Sequence, residues 1–147
     1  MTVRNNPIKS TSVAGFSVLA VFVIALTVIS CSNVLGPSDI NSIKFPASNV
    51  SYSEQIQPLF DLGCAFSGCH DPQTQAGTPP LVLDSYFDAI SSSNGTIWKG
   101  HDTTNSQILW SIEPKNGFLR MPLNRPALNA NQINGIKTWI LEGCKDN

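Results

Sequence analysis

Two thiols and an imidazole lie within seven consecutive residues, and this spacing constrains the chain more than any other feature. Cys64 and Cys69 are separated by four residues, and His70 directly follows the second thiol. A loop of this kind presents three strong ligand atoms to one bound group. A methionine stands far downstream, where Met121 precedes Pro122. The chain therefore supplies two sulfur nucleophiles, one imidazole and one distant thioether, in that order.

These residues match the requirements of a covalently attached haem. Two thiols bond to its vinyl groups, the adjacent imidazole binds the iron, and a sixth ligand comes from elsewhere in the chain. The usual attachment signature is Cys-x-x-Cys-His, whereas four residues separate Cys64 from Cys69 here. Ser67 and Gly68 supply the flexibility for the longer loop to bulge outward. We predict one covalent haem c, attached through Cys64 and Cys69 with His70 on the iron.

Three other interpretations of the motif compete with haem. The two thiols can form a Cys64–Cys69 disulfide with His70 incidental, or all three residues can bind zinc, or the adjacency is chance. Structural zinc usually takes four protein ligands from two paired clusters. No second pair is present, because His101 and Cys144 are isolated in the sequence. The sequence therefore favours haem.

Met121 is the predicted sixth ligand of the iron. Methionine on haem iron raises the reduction potential relative to two histidines, and it closes the distal face to dioxygen and peroxide. The rival ligand is His101, which lies in a polar loop, and Met121 can also serve only to fill the core. The predicted metal ligands are thus His70 and Met121.

The first thirty residues have the pattern of a targeting segment. Arg4 and Lys9 precede an apolar run at 13–29, which leads into Val28-Ile29-Ser30-Cys31. This tetrapeptide is typical of a bacterial lipobox. We predict a signal peptide at 1–30 and lipidation of Cys31. The alternative is an uncleaved transmembrane anchor, for which seventeen apolar residues are at the lower limit.

The remaining chain divides into a tether and one domain. Residues 31–49 are predicted to form a lipidated tether, and residues 50–147 a single domain. From Cys31 onward the sequence has seven Lys and Arg against ten Asp and Glu, a formal charge of −3. Because no basic stripe is present, nucleic acid is not an expected partner. The expected location is the periplasm-facing surface of a membrane, the outer membrane of a Gram-negative bacterium, through the lipid anchor.

Helix signals dominate the predicted domain, and no strand of convincing length is present. Capping-box patterns at 51–54 and 129–132 predict the first and last helices. Polar caps at 84–85 and 105–106 predict two short helices between them, and Gly143 is a predicted helix stop. The fold class is therefore all-α.

A haem also needs apolar walls, and buried apolar groups each contribute about 1.5–3 kcal/mol. The candidates for these walls are Leu81, Leu83, Phe87, Ile108, Leu109, Phe118, Leu119, Ile136 and Trp139. Arg120 and Lys99 are candidates for pairing with the haem propionates, although a solvated charge is the commoner fate of such residues.

The whole domain resembles the small c-type cytochrome lipoproteins of Bacteroidetes-type bacteria. The similarity rests on a tyrosine-serine start, an apolar helix, the Cys-x4-Cys-His motif, the Met-Pro step and the last helix, at 52–53, 56–60, 64–71, 121–122 and 128–143. The resemblance implies a class I cytochrome c-like fold, in which the first and last helices cross and loops surround one haem. Cys144 stands where a small residue would be ordinary, and implies either a buried free thiol or a pairing with another chain.

The expected function is transfer of single electrons between redox protein partners, with no small-molecule substrate. One alternative is a non-haem structural or binding lipoprotein that contains the disulfide. The other is a peroxidase-like haem enzyme with a displaceable sixth ligand, which a fixed Met121 disfavours.

Overall fold

Helices are the only regular elements in residues 37–93, 95–113 and 117–147, the part of the chain described by this computed structural model. This confirms the all-α prediction. A 3-10 turn at Ile40–Ser42 and a π-helical turn at Tyr52–Ile56 precede the α-helices. The α-helices are α1 (Gln57–Gly63), α2 (Tyr86–Ser92), α3 (Gln107–Ile112) and α4 (Ala130–Leu141).

The predicted signal peptide at 1–30 and the predicted lipid site at Cys31 lie outside the described residues. Within the described ranges, no helix has both the length and the apolar character needed to cross a membrane.

The first helical segment begins at the predicted cap but opens with a wider turn. The Ser51 hydroxyl accepts a hydrogen bond from the Glu54 backbone N–H at 3.2 Å, as a capping box requires. The reciprocal bond comes from the next residue, because the Ser51 N–H donates to the Gln55 side-chain oxygen at 2.9 Å. The π-helical turn explains this shift, since its extra residue per turn moves Gln55 over the cap.

The last helix follows its sequence signals closely. Asn129 and Gln132 form the predicted capping box at the start of α4. Gly143 has a φ of +98° just beyond its end, a conformation that favours glycine. Cys144 follows as a free, buried thiol, and its backbone N–H donates to the Trp139 carbonyl at 3.0 Å.

The two short helices use their predicted caps differently. The Ser85 hydroxyl caps α2 by accepting from the Asp88 N–H at 3.1 Å. Ser106 precedes α3 but makes no capping bond. Its fully buried hydroxyl instead accepts from the Lys99 N–H and donates to the Asp102 carbonyl, both at 2.8 Å. Burial thus directs this hydroxyl to the preceding loop.

A chain of buried aromatic rings joins the first helical segment to α4. The ring centroids of Tyr52 and Trp139, of Trp139 and Trp98, and of Trp98 and Phe60 are each 5.6 Å apart. Aromatic pairs at such distances stabilise a core beyond the area they bury. Because Phe60 belongs to α1, these contacts fix the end of α1, where the first thiol of the motif lies.

The packed domain begins earlier than the expected start near Val50. Ile43 and Phe45 are buried, and the Asn131 side chain accepts from the Phe45 N–H at 2.9 Å and donates to the Phe45 carbonyl at 3.0 Å. The Gln132 amide also donates to the Ile40 carbonyl at 2.7 Å. The sequence did not reveal this packing, because isolated apolar residues in a polar segment have no helical or strand period.

Gly135 should be required by the packing of this segment on α4. A Cβ atom at Gly135 would overlap the Phe45 ring, whereas glycine to alanine in a helix normally stabilises by about 1 kcal/mol. Gly135→Ala should instead lower the free energy of unfolding by about 1–3 kcal/mol, measured by urea denaturation. Asn134→Ala, at an exposed neighbouring position of α4, is the control and should be neutral or stabilising. A stabilised Gly135→Ala variant would contradict the tight contact.

Candidate functional site

A cavity of about 290 Å³ collects the residues that the sequence singled out. Cys64, Cys69, His70 and Met121 all line it, although the methionine lies far from the other three in the chain. The remaining lining is mainly apolar and comes from α3 and from the loops that follow α1, α2 and α3. The structure therefore brings the two thiols, the imidazole and the thioether to the wall of a single cavity.

Backbone hydrogen bonds close the loop that carries the thiols. The Cys64 N–H donates to the Phe60 carbonyl at 2.7 Å, which places Cys64 at the end of α1. The His70 N–H donates to the Cys64 carbonyl at 3.2 Å, and the Cys69 N–H to the Phe66 carbonyl at 2.9 Å. These bonds draw the two ends of the loop together, so the four intervening residues do not separate the thiols from one cavity wall.

The orientation of the His70 ring is set by a backbone carbonyl. His70 Nδ1 lies 3.1 Å from the Leu81 carbonyl oxygen. Because a carbonyl can only accept, this bond requires the proton on Nδ1 and leaves the lone pair on Nε2. The Leu83 N–H donates to the His70 carbonyl at 2.9 Å, so the buried Leu81–Leu83 segment holds both the ring and the backbone. Metal-binding histidines commonly have such a partner on the second ring nitrogen.

The cysteines of the described part are free thiols. Burial raises the pKa of Cys64 from 9.0 to about 12, and the neighbouring Cys69 raises it further, while Arg125 opposes the shift. The Cys64 thiol is therefore protonated over the physiological pH range. No group of three or more His, Cys, Asp or Glu side chains converges as a metal site among the described residues.

Met121 and His101, the two candidates for the sixth ligand, lie in different surroundings. The Met121 N–H donates to the Ser111 carbonyl of α3 at 2.9 Å, and both residues line the cavity. His101 is exposed and does not line it. Its Nδ1 lies 2.7 Å from the Leu141 carbonyl, at the end of α4. Only Met121 therefore shares the cavity with His70.

Four of the nine residues predicted to form the apolar walls line the cavity. Leu81, Leu83, Ile108 and Phe118 line the cavity. Leu109, Ile136 and Trp139 are buried in the core, whereas Phe87 and Leu119 are 75% and 60% exposed and do not line the cavity. Phe87 is exposed and not part of a wall because α2 is short and buries only Ala89 completely.

The cationic side chains near the cavity also differ from expectation. Lys99 pairs with Asp102 at 3.4 Å, away from the cavity wall. Arg120 is half-buried beside Met121, and its Nη1 is buried with no hydrogen-bond partner among the described residues. Such a guanidinium N–H suits a carboxylate acceptor. Arg125 lines the cavity itself, and sequence reasoning missed it because no periodic pattern marks its loop.

Sequence reasoning also missed several apolar lining residues in irregular segments. They are Pro79, Ile97, Pro122, Leu123 and Leu128. The position of Pro122 beside the predicted ligand was the one available signal. The others come from loops, where neither helical nor strand spacing identifies a buried side.

Comparison with protein-family models, with characterised proteins and with solved structures finds no match for this sequence. The chemistry of the cavity must therefore be inferred from its own residues.

The donor set fits a covalently attached haem better than a bare metal ion. A haem needs an apolar cavity, an imidazole and a thioether for the iron, and two thiols for attachment. The cavity contains each of these groups, and the imidazole of His70 is oriented by the Leu81 carbonyl. Arg125 supplies a cation on the cavity wall, which suits an anionic substituent.

The raised pKa of Cys64 should make this thiol unreactive in the folded, cofactor-free chain. Thiolate is the nucleophile in alkylation, so at pH 8 iodoacetamide should modify Cys64 at least about a hundredfold more slowly in the folded chain than in urea. Peptide mapping of timed samples measures the rate at each thiol. A folded-state rate equal to the rate in urea would contradict the raised pKa of this half-buried thiol.

Proposed function

We propose that this protein is a mono-haem c-type cytochrome that carries single electrons between redox partners. One haem c would be bonded to Cys64 and Cys69, with His70 and Met121 as iron ligands. The haem would supply an iron that cycles between two oxidation states. The observation that carries this proposal is that all four side chains line one apolar cavity.

The chain's own contacts support these roles. The Leu81 carbonyl holds His70 with Nε2 free for a metal. Cys64 and Cys69 are both free thiols on the cavity wall, as two thioether bonds to one haem would require. Arg120 follows the exposed Leu119 and does not line the cavity, but its Nη1 has no hydrogen-bond partner among the described residues, and we propose it as the partner of a haem propionate.

Electron transfer is favoured over peroxide chemistry by the position of Met121. Its backbone is tied to α3 through the Ser111 carbonyl, and its side chain lines the same cavity as His70. A methionine held there would fill the sixth position of the iron and raise the reduction potential. We accordingly propose an electron carrier with redox protein partners and no small-molecule substrate.

The proposed fold is that of a class I cytochrome c. The contact between Tyr52 at the start of the first helical segment and Trp139 of α4 is compatible with crossed terminal helices. We propose a lipid anchor at Cys31, on the periplasm-facing surface of a membrane, from the lipobox pattern alone.

Mass spectrometry of the protein from its membrane fraction tests attachment and lipidation separately. The mature chain should begin at a lipid-modified Cys31, and a peptide containing Cys64 and Cys69 should retain the mass of one haem after acid-acetone extraction. A disulfide-containing peptide two hydrogens lighter than the free thiols would contradict the proposed function and favour a non-haem lipoprotein.

Replacement of Met121 should open the sixth position of the iron. Met121→Ala should bind carbon monoxide or imidazole, lose the weak long-wavelength band of sulfur ligation and show a lower midpoint potential. The matched control is His101→Ala, which should leave the spectrum unchanged and cost about 0.5–1.5 kcal/mol of stability through the lost bond to the Leu141 carbonyl. The opposite spectral pattern would assign the ligand to His101. Peroxidase activity in the wild type would favour an enzyme.

A further inference from the structure

The attachment loop, residues 64–70, contains one aromatic side chain, Phe66, that haem attachment does not require. Ser67 and Gly68 are exposed, whereas Phe66 is half-buried. The guanidinium carbon of Arg125 lies 4.0 Å from the centroid of the Phe66 ring. This distance is well within the range of a cation–π interaction. The loop that carries both thiols therefore contacts a cation from a distant part of the chain.

Arg125 belongs to the segment that carries Met121. The Arg120 side chain donates from Nη2 to the Arg125 carbonyl at 3.1 Å, which closes a short loop around Met121 and Pro122. The salt bridges in the described ranges are Lys99–Asp102 and Lys137–Glu113, so neither arginine pairs with an acid there. The Phe66 ring is thus the favourable charge partner that the described residues provide for Arg125.

The loop at 120–125, here called the Met121 loop, is consequently held at two places. On one side, the Met121 N–H donates to the Ser111 carbonyl of α3. On the other side, Arg125 contacts Phe66 of the attachment loop. The second contact directly connects the loop of the proposed sixth ligand to the loop of the proposed haem bonds.

We propose that the Arg125–Phe66 contact positions Met121 on the iron. Arg120 stabilises the loop between Met121 and Arg125 through its hydrogen bond to the Arg125 carbonyl. This inference rests on the proposed function, because it assigns a role in haem ligation. Arg125 is a positioning residue, since it acts through the loop and not on the iron. The usual attachment motif has two residues between its thiols, whereas four separate Cys64 from Cys69. The longer loop provides the position that Phe66 occupies.

Loss of the contact should make Met121 leave the iron more readily. Exposed cation–π pairs have energies that correspond to about a two- to fivefold change in an equilibrium. The rate of imidazole binding to the oxidised protein reports the opening of the Met121 loop, because imidazole must replace the methionine. Phe66→Ala and Arg125→Ala should each raise this rate about two- to fivefold.

A double-mutant cycle provides the decisive comparison, because both residues should act through one contact. Phe66→Ala combined with Arg125→Ala should bind imidazole no faster than the faster single variant. Phe66→Tyr retains the ring and should keep the wild-type rate. Phe87→Ala and Lys145→Ala remove an exposed ring and an exposed cation elsewhere, and are the matched controls.

The outcomes separate this inference from the function on which it rests. A protein without covalent haem overturns both. A haem protein in which both single variants bind imidazole at the wild-type rate, or in which their effects multiply in the double variant, overturns the positioning role alone. Faster binding in both single variants, with no further gain in the double variant and none in the controls, supports it.

Discussion

The candidate site depends on the aromatic contacts that fix the end of α1. Tyr52 packs against Trp139 of α4, and Trp98 connects Trp139 to Phe60. Phe60 also accepts the hydrogen bond from the Cys64 N–H at 2.7 Å. The position of the first thiol is therefore set by the core and not by the loop that follows. The rest of the loop then needs only local backbone bonds to face the same cavity.

The cavity itself is built from segments that have little regular structure. One wall consists of the attachment loop and the Leu81–Leu83 segment, which is bonded to His70 at both the ring and the backbone. Further lining residues come from α3 and from the loop around Met121 and Pro122. The proposed haem would bury apolar surface against these segments, and its binding would stabilise the folded chain.

Sequence reasoning was strongest where chemistry or periodicity is local. The caps at Ser51, Ser85 and Asn129 and the stop at Gly143 were predicted, because each depends on a few adjacent residues. The four proposed haem residues were also found together in one cavity. The Arg125–Phe66 contact and the burial of Phe45 could not be predicted, because they join residues that are distant in the chain and have no repeating pattern.

The packing of Phe45 on α4 brings the start of the packed domain closer in sequence to the proposed lipid site at Cys31. If the tether extended from Cys31 to residue 49, its reach would be about 60 Å in an extended conformation. The hydrogen bond between Gln132 and the Ile40 carbonyl anchors the chain nine residues after Cys31, which limits the reach to about 30 Å. If the proposed lipid anchor and electron transfer are correct, so short a tether would favour redox partners at the same membrane surface over partners held farther away.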